Sequence, residues 1–587
     1  MISSKRLKWM GFVILAVFFI LIGRLAEIQL FTSESFSENH VNLVEESVNQ
    51  RTQEVLIDDG RGRFVDRNLK PLSDKREPTL VLFPFVLETS WPMEQLSSMI
   101  NVPVTKINDW LEEAKEPLIL GEKQGVKLSE QDIKKINDMK VPGVFGIYKQ
   151  IPLKDSIADH TIGLTSENEE YFRKKYPDKD LIPGKTKVGV TGLEEAYDEF
   201  LLPDTETKLL YHVDGNGHPL FGVNVKYLAD SNPFYPVSIK TTIDADIQKT
   251  AESLLNSHSI ESGGLVLLDA KTSELLALVS KPDLDLKNKN SQLNHMIQPS
   301  FPGSVFKTVI AAAAIENNLD HPSRTFNCDL NLYGEADDEK EAGALTFQES
   351  FAESCNYTFT TLANELLEKD KNAIEVYADK LGLIEPVGWQ GEIYHYENFR
   401  QIPKERKGII WLDEKEKRVP KAVAQTAIGQ KDVRVSPLAI ANMMATISRG
   451  GQKMQVKLVD SILYKNETTM HSFSSNQLDG EKIDKYTAEQ LQKLLRHVVT
   501  DGKGTGRRFQ TSLYSVAGKS GTAETGKKNQ QGEKLYHKWF AGYFPVENPK
   551  YALAVVHMDT KSEEAATNGL YEDMVKELHA FDKKRPR

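Results

Sequence analysis

The longest apolar run of the chain lies close to its N-terminus. Residues 9–26 contain a single charge, and their length is at the short end of what a membrane-spanning helix needs. Three cations precede the run, which predicts a cytoplasmic N-terminus at 1–8, a single-pass membrane anchor at 9–26 and the rest of the chain outside the cytoplasm. A cleaved signal peptide is one alternative, although no convincing small-x-small cleavage site follows Gly23. A buried core helix is the other.

Beyond the anchor, the pattern divides the chain into two large parts. A turn-rich stretch at 58–68 introduces mixed strands and helices, and a proline-containing run at 232–236 is typical of a linker. After this run the pattern becomes more compactly apolar. We therefore predict one domain at 27–235, a second at 236–575 and a charged tail at 576–587, the tail as a surface helix and coil.

The second part contains the clearest elements. Residues 264–269 form an apolar run typical of a buried strand, and residues 274–279 follow as its hairpin partner. Apolar residues at helical spacing predict three helices, and two apolar stretches near the C-terminus predict two strands. The helices are expected at 305–316, 350–368 and 437–449, and the strands at 539–544 and 551–557. This mixture places the chain in the α/β (α+β) class.

Composition narrows the possible classes of protein. The 587 residues are 40% hydrophobic and 27% charged, as in ordinary globular proteins. A net charge of −11 argues against nucleic-acid binding, because such proteins usually carry a basic excess. The two cysteines, Cys328 and Cys355, exclude a multi-cysteine zinc site and a disulfide framework, and the sequence leaves open whether they pair. So few cysteines outside the cytoplasm favour an exported bacterial protein.

The first candidate for chemistry is Ser304, three residues before Lys307. Residues i and i+3 share a face of a helix, so the lysine amine comes within hydrogen-bond reach of the serine hydroxyl. Serine becomes a good nucleophile when a base removes its proton, and a neutral lysine can be that base. Taken singly, the ordinary alternatives are a helix N-cap for Ser304 and a solvated surface position for Lys307.

Two further groups of residues follow. Ser354 and Asn356 form a Ser-x-Asn group within a predicted helix. Lys519 begins the run Lys-Ser-Gly-Thr, whose small residues suit an edge strand that a substrate backbone approaches closely. Taken singly, each residue has an ordinary structural alternative: Ser354 could be a hydroxyl in the core, and Lys519 a charged residue at the end of a strand. Cys355, inside the second group, is interpreted as a small buried helix residue.

In this order, the three groups resemble the signature of penicillin-recognising acyl-serine enzymes. Other motifs resemble those of class B (monofunctional) penicillin-binding proteins, and together they cover most of the chain. These motifs are Arg61-Gly62-x-x-x-Asp66-Arg67, His160-x-Ile162-Gly163, Gly192-Leu193-Glu194, Thr242-Ile243-Asp244, Ile428-Gly429-Gln430, Gly504-Thr505 and Trp539-Phe540-x-Gly542. The first of them follows the anchor too closely to leave room for the glycosyltransferase domain of class A proteins.

The resemblance implies a fold, a reaction and partners. Residues 27–235 correspond to a dimerisation or pedestal domain, and 236–575 to a transpeptidase domain with an antiparallel sheet flanked by helices, as in β-lactamases. The implied activity is a serine-type D-Ala-D-Ala transpeptidase that crosslinks peptidoglycan stem peptides through an acyl-enzyme and is inhibited covalently by β-lactams. The implied partners include a glycosyltransferase and division, elongation or sporulation proteins. No cofactor, metal or nucleic acid is implied.

The resemblance also implies a role for each site residue. Ser304 attacks the carbonyl of the penultimate D-Ala, Lys307 takes its proton, and Ser354 relays a proton to the departing D-Ala. Lys519 and Thr522 hold the terminal carboxylate, while the backbone N–H groups of Ser304 and Thr522 form the oxyanion hole. The implied catalytic residues are Ser304, Lys307, Ser354 and Lys519, and the implied substrate-binding residues are Asn356, Ser520, Gly521 and Thr522.

Other functions stay open. The same acyl-enzyme could be hydrolysed, as in a D,D-carboxypeptidase or β-lactamase, although no convincing motif for a deacylating water lies between Ser354 and Lys519. A scaffold or β-lactam sensor with a weakly active site is the non-enzymatic alternative. The stretch 521–528 nearly matches a phosphate-binding loop, but Lys528 stands where Ser or Thr would ligate Mg²⁺. The sequence does not decide whether division, elongation, sporulation or a back-up role is served.

Overall fold

The structure is a computed structural model of the chain. It describes residues 4–31, 33, 42–43, 46–47, 51–153, 156–179, 186–204, 206–212, 226–228, 232, 234–337, 341–561 and 566–585. Parts of the predicted cytoplasmic N-terminus (1–3), linker (233) and charged tail (586–587) lie outside the described residues.

Helices are distributed along the whole chain. In chain order, the α-helices are α1 Ser4–Ala26, α2 Met93–Ile100, α3 Val104–Glu113, α4 Glu130–Asp138, α5 Asp159–Ile162, α6 Glu169–Lys175, α7 Gly192–Ala196, α8 Asp198–Leu201, α9 Ala245–Ser257, α10 Lys307–Glu316, α11 Phe347–Glu353, α12 Asn356–Lys369, α13 Ala373–Lys380, α14 Pro420–Ala427, α15 Pro437–Ser448, α16 Lys485–Thr500 and α17 Ala566–Lys584.

Strands alternate with these helices. They are β1 Thr52–Asp58, β2 Arg63–Val65, β3 Asp74–Leu82, β4 Leu118–Leu120, β5 Val144–Pro152, β6 Thr165–Ser166, β7 Val188–Gly189, β8 Thr207–His212, β9 Lys226–Leu228, β10 Ser238–Thr241, β11 Gly263–Asp269, β12 Leu275–Lys281, β13 Thr325–Asn327, β14 Ala344–Thr346, β15 Gln390–Ile393, β16 Tyr396–Arg400, β17 Val459–Leu463, β18 Thr469–Ser472, β19 Ala517–Lys528, β20 Lys534–Phe544 and β21 Tyr551–Thr560.

The predicted membrane anchor is helical. The stretch Lys8–Leu30 is 23 residues long, and 0% of its apolar window is buried, so the core-helix alternative is wrong. Its length and composition are sufficient to cross a bilayer. The shorter apolar helix α15 is instead buried in the core. An N-terminal helix suited to membrane anchoring is therefore present, and its orientation stays a prediction.

The fold comprises two compact units. The first contains the described residues of 1–60, 75–151 and 204–232. It has two three-stranded sheets, with strand orders β1-β8-β9 and β4-β3-β5. Apolar side chains of these sheets and of α2 and α3 form its core, in which the Phe83 and Tyr211 rings meet edge-on at 4.7 Å between centroids.

The second unit is built on a five-stranded antiparallel sheet. It contains the described residues of 61–74, 152–203 and 233–587. The strand order is β12-β11-β21-β20-β19, with α15 on one face and α9 and α17 on the other. Every residue of β11 is buried because both faces are covered, which explains its continuous apolar sequence. Strand β19 lies at the edge of the sheet.

Most predicted elements of this unit are confirmed. Strands β11 and β12 form the predicted antiparallel hairpin, and β20 and β21 contain the two predicted late strands. The helix predicted at 350–368 is wrong as a single element. It is divided into α11 and α12 because Ser354 adopts a left-handed conformation with φ of 64°.

The C-terminal residues agree with the prediction in part. Helix α17 extends to residue 584 of the predicted tail, as expected, but Leu578 of the tail is buried against the sheet, as are Met574 and Val575 just before it. Charge content indicated a surface segment, yet an amphipathic helix presents charges on one face while it buries the other. The tail is therefore not simply a surface helix and coil.

Segments 61–74 and 152–203 belong to the second compact unit although they lie within the predicted first domain. Strand β2 pairs in parallel with β10. The buried Arg61 guanidinium donates hydrogen bonds to Glu194 and, at 2.8 Å, to Asp198. These contacts connect the Arg-Gly motif at Arg61 with the Gly-Leu-Glu motif at Glu194, which lie far apart in the chain. The domain boundaries predicted above were drawn from changes in the sequence pattern and not from contacts between residues, and they stay a prediction.

Candidate active site

Ser304 lies in a 3₁₀ helix, Gly303–Phe306, that leads directly into α10. Side chains at i and i+3 eclipse one another in a 3₁₀ helix, so Ser304 and Lys307 point from the same side of this turn. The Gly303 N–H anchors the turn by donating to the Gly429 carbonyl oxygen at 3.0 Å. Gly429 belongs to the Ile-Gly-Gln motif, which therefore supports the turn that carries Ser304.

The turn lies unusually close to strand β19. A Cβ atom on Gly303 would be 2.4 Å from the Thr522 carbonyl oxygen, and one on Gly521 would be 2.7 Å from the Pro302 carbonyl oxygen. Both distances are too short for any side chain, so glycine is required on each side. The backbone that follows Gly303 is thereby brought beside the backbone at Thr522.

Lys307 is completely buried and faces the Ser-x-Asn group. Its Nζ donates to the Ser354 carbonyl oxygen at 2.7 Å, to Ser354 Oγ at 3.1 Å and to Asn356 Oδ1 at 2.6 Å. Because Lys307 occupies Oδ1, the Asn356 amide nitrogen is left to donate elsewhere. The surface-residue alternative for Lys307 is therefore wrong.

Ser354 lies at the break between α11 and α12. Its left-handed backbone ends α11, and Cys355 links this corner to Cys328 through a disulfide. Cys355 is buried but belongs to neither helix, so its interpretation as a helix residue is wrong. The break places Ser354 Oγ between two lysines, 3.1 Å from Lys307 Nζ and 3.0 Å from Lys519 Nζ.

Lys519 lies on the edge strand, as predicted, with its side chain fully buried. Besides Ser354 Oγ, its Nζ donates to the Ser520 carbonyl oxygen at 3.3 Å. Burial lowers the pKa of Lys519 to about 7. A low-dielectric surrounding disfavours the charged amine, so this lysine exchanges its proton near neutral pH.

Lys519→Met is expected to change how stability depends on pH. The pKa of an unfolded lysine is about 10.4, so between pH 7 and that value the unfolded chain holds a proton that folded Lys519 lacks. From this group, wild type therefore gains up to about 1.4 kcal/mol of stability per pH unit as pH rises through this window. The stability of Lys519→Met relative to wild type should be highest at pH 7 and decline towards pH 10.

Denaturation of both proteins in detergent micelles at four pH values between 7 and 10 measures this difference. Lys528→Met, at an exposed position of the same strand, controls for the loss of one surface charge. A difference between Lys519→Met and wild type that does not vary with pH contradicts the prediction.

The remaining predicted residues lie along β19. Ser520 Oγ donates to Thr505 Oγ1 at 2.8 Å, and the Thr505 N–H donates to the Ala352 carbonyl oxygen at 3.1 Å. The Gly-Thr motif thus connects β19 to α11. The Thr522 side chain is exposed at the open edge. Residues 521–528 are part of an extended strand rather than a loop that opens a helix, so they lack the setting of a phosphate-binding loop.

Sequence reasoning missed two features of this site. The Cys328–Cys355 disulfide spans 27 residues, and two cysteines at such a distance carry no signal of pairing. Lys538, whose Nζ donates to Thr522 Oγ1 at 3.4 Å, lies outside all the recognised motifs. Among the described residues no group of three His, Cys, Asp or Glu side chains could hold a metal ion. The expectation that no metal is needed stays a prediction.

Comparisons with known proteins point to one family. Residues 263–578 match the family described as the penicillin binding protein transpeptidase domain. The chain is 24% identical to stage V sporulation protein D of Bacillus subtilis, over 94% of this chain and 81% of the relative. It is also 24% identical to peptidoglycan D,D-transpeptidase MrdA of Acinetobacter baumannii, over 93% of this chain and 83% of the relative.

A solved structure has the same fold. It comes from a study of how a peptidoglycan synthase complex coordinates polymerization and crosslinking. The chain matches it with a TM-score of 0.65 and 20% identity, over 98% of both chains.

Proposed function

The chain belongs to the penicillin-binding protein transpeptidase family, in its class B branch, and we propose on that basis that Ser304 is the nucleophile of a peptidoglycan D,D-transpeptidase. One observation carries the assignment of residues: Ser354 Oγ lies 3.1 and 3.0 Å from two buried lysine amines, and one of these lysines is a single turn from Ser304. Two ammonium groups that share one hydroxyl repel each other, which favours a neutral amine on one of them.

In the first half-reaction, Ser304 Oγ attacks the carbonyl carbon of the penultimate D-Ala of a stem peptide. Lys307 takes the hydroxyl proton when its amine is neutral and donates only two of its three hydrogen bonds; a C–O bond forms, and a tetrahedral oxyanion results. The C–N bond to the terminal D-Ala then breaks. Ser354 gives its proton to the leaving nitrogen and regains one from Lys307, which its contact with Lys307 Nζ supports.

We assign the oxyanion hole to the backbone N–H groups of Ser304 and Thr522. The two glycines that allow the turn and β19 to approach each other support this assignment. Each such donor typically contributes about 2.7–4 kcal/mol to stabilisation of the transition state. The donor peptide adds to the open edge of β19, along Ser520, Gly521 and Thr522, while the Asn356 amide donates to a peptide carbonyl.

In the second half-reaction, an amine of another stem peptide attacks the acyl-enzyme. A new C–N bond forms, Ser304 leaves with a proton returned through Lys307, and the two stem peptides are crosslinked. A β-lactam enters the same site and leaves a persistent acyl-enzyme. We also propose that the catalytic unit lies outside the cytoplasm and acts with a glycosyltransferase, as the likeness to a chain of a peptidoglycan synthase complex supports.

The full-length protein in detergent micelles tests this function. Incubation with a penicillin should give a one-to-one covalent adduct in the intact mass that persists for hours. Incubation with uncrosslinked peptidoglycan that carries D-Ala-D-Ala ends should release D-Ala and produce crosslinked stem-peptide dimers. Release of D-Ala without dimers would favour the D,D-carboxypeptidase, and absence of an adduct on folded protein would favour the scaffold.

A further inference from the structure

Lys538 lies on β20 directly opposite Thr522 of β19. Side chains of directly opposed residues in an antiparallel pair project from the same face of the sheet. Lys538 Nζ accordingly comes within 3.4 Å of Thr522 Oγ1 and donates to it. Because the Thr522 side chain is exposed, the ammonium group of Lys538 lies at a position that a bound peptide can reach.

This ammonium group has no carboxylate partner among the described residues, in contrast to other lysines of the same hairpin. Lys534 pairs with Glu524 at 2.7 Å, and Lys527 pairs with Asp559 at 2.8 Å. Lys538 is half-buried, and this burial lowers its pKa. A partly desolvated cation without an acid beside it is poised to bind an anion from outside the chain.

Lys519 is poorly placed to be the cation that meets such an anion. Its side chain is completely buried, and its Nζ is already bound to Ser354 Oγ and to the Ser520 carbonyl oxygen. Lys538, by contrast, approaches the exposed hydroxyl of Thr522. The cation that lies beside Thr522 is therefore Lys538 of β20.

The position of the substrate brings an anion to this point. If the Ser304 and Thr522 N–H groups hold the carbonyl oxygen of the scissile bond, the C-terminal carboxylate lies a single residue further, or about 3.3–3.6 Å along the peptide. That distance keeps the carboxylate beside Thr522. Lys538 Nζ, 3.4 Å from Thr522 Oγ1, lies beside the same residue.

We propose that Lys538 and Thr522 together bind the terminal carboxylate of the donor peptide, with Lys538 supplying the positive charge. This inference rests on the proposed function. It also assigns the ring carboxylate of a penicillin to the same two residues, because the drug occupies the donor site. Lys538 is thus a specificity-determining residue for substrates that end in a free carboxylate.

Acylation rates measured on the full-length protein in micelles test the proposal. We compare benzylpenicillin with its methyl ester, which lacks the negative charge, on wild type, Lys538→Met, Lys538→Arg and the exposed control Lys528→Met. The rate with benzylpenicillin should fall roughly 10- to 100-fold in Lys538→Met, as expected for loss of a charge-assisted hydrogen bond. The rate with the ester should change less than about twofold, and Lys538→Arg should retain most of the preference for the acid.

The outcomes are distinguishable. Lys528→Met should behave as wild type with both compounds, which separates local recognition from the loss of one unit of charge. Equal losses with acid and ester, or no loss with either, would overturn the role of Lys538 while the adduct at Ser304 still supports the transpeptidase. Absence of any adduct on wild type would instead overturn the proposed function and this inference with it.

Discussion

Ser304→Ala is expected to abolish both the penicillin adduct and stem-peptide crosslinking, with a loss of about 10⁴-fold or more. As the proposed nucleophile, Ser304 supplies the atom that forms the acyl bond; alanine removes this atom and leaves the backbone N–H groups of the proposed oxyanion hole in place. Since Ser304 lies in a short 3₁₀ turn held by backbone contacts of Gly303, the fold should persist. Intact mass after incubation with a penicillin, together with thermal denaturation, measures the two properties separately.

Ser300→Ala is the matched control for this variant. Ser300 is buried four residues earlier, and its hydroxyl has no hydrogen-bond partner among the described residues. Its backbone N–H donates to the Val435 carbonyl oxygen at 3.0 Å, a bond that alanine preserves. Ser300→Ala should therefore form the adduct at the wild-type rate. An adduct that survives in Ser304→Ala and disappears in Ser300→Ala would contradict the assignment of the nucleophile.

Lys307→Met is expected to slow acylation by about 10²- to 10⁴-fold, the usual contribution of a positioned base. Methionine fills a similar volume but cannot accept the Ser304 proton. The variant also removes three hydrogen bonds, to the Ser354 carbonyl oxygen, to Ser354 Oγ and to Asn356 Oδ1. The second-order rate of penicillin acylation measures the loss, and near-ultraviolet circular dichroism monitors the fold.

Lys307→Arg distinguishes a base from a positioning cation. Arginine can still donate to Ser354 and Asn356, but its guanidinium stays protonated at all accessible pH values. If Lys307 is the base, Lys307→Arg should be about as slow as Lys307→Met. A rate close to that of wild type would show that positive charge and hydrogen bonding suffice, and the proton would then need another acceptor.

The sequence by itself determined the elements and the chemistry that depend on local pattern. The run 264–269 predicts a strand because four of its six residues are hydrophobic and consecutive, and β11 is buried on both faces. Ser304 and Lys307 lie on one side of a turn because they are three positions apart in the sequence. The small residues after Lys519 indicated an edge strand, and β19 is at the sheet edge. The order of these groups was enough to indicate the family.

Only the tertiary structure decided the features that join distant parts of the chain. The break at Ser354, the Cys328–Cys355 disulfide and the place of Lys538 opposite Thr522 have no signature in local periodicity. The buried face of α17 was likewise hidden by its charge. The physical reason is that hydrophobic periodicity reports which side of one element is apolar. It does not report which distant side chain that element contacts. The contacts of Ser354 Oγ with Lys307 and Lys519 join residues that are distant in the sequence, so periodicity could not predict them.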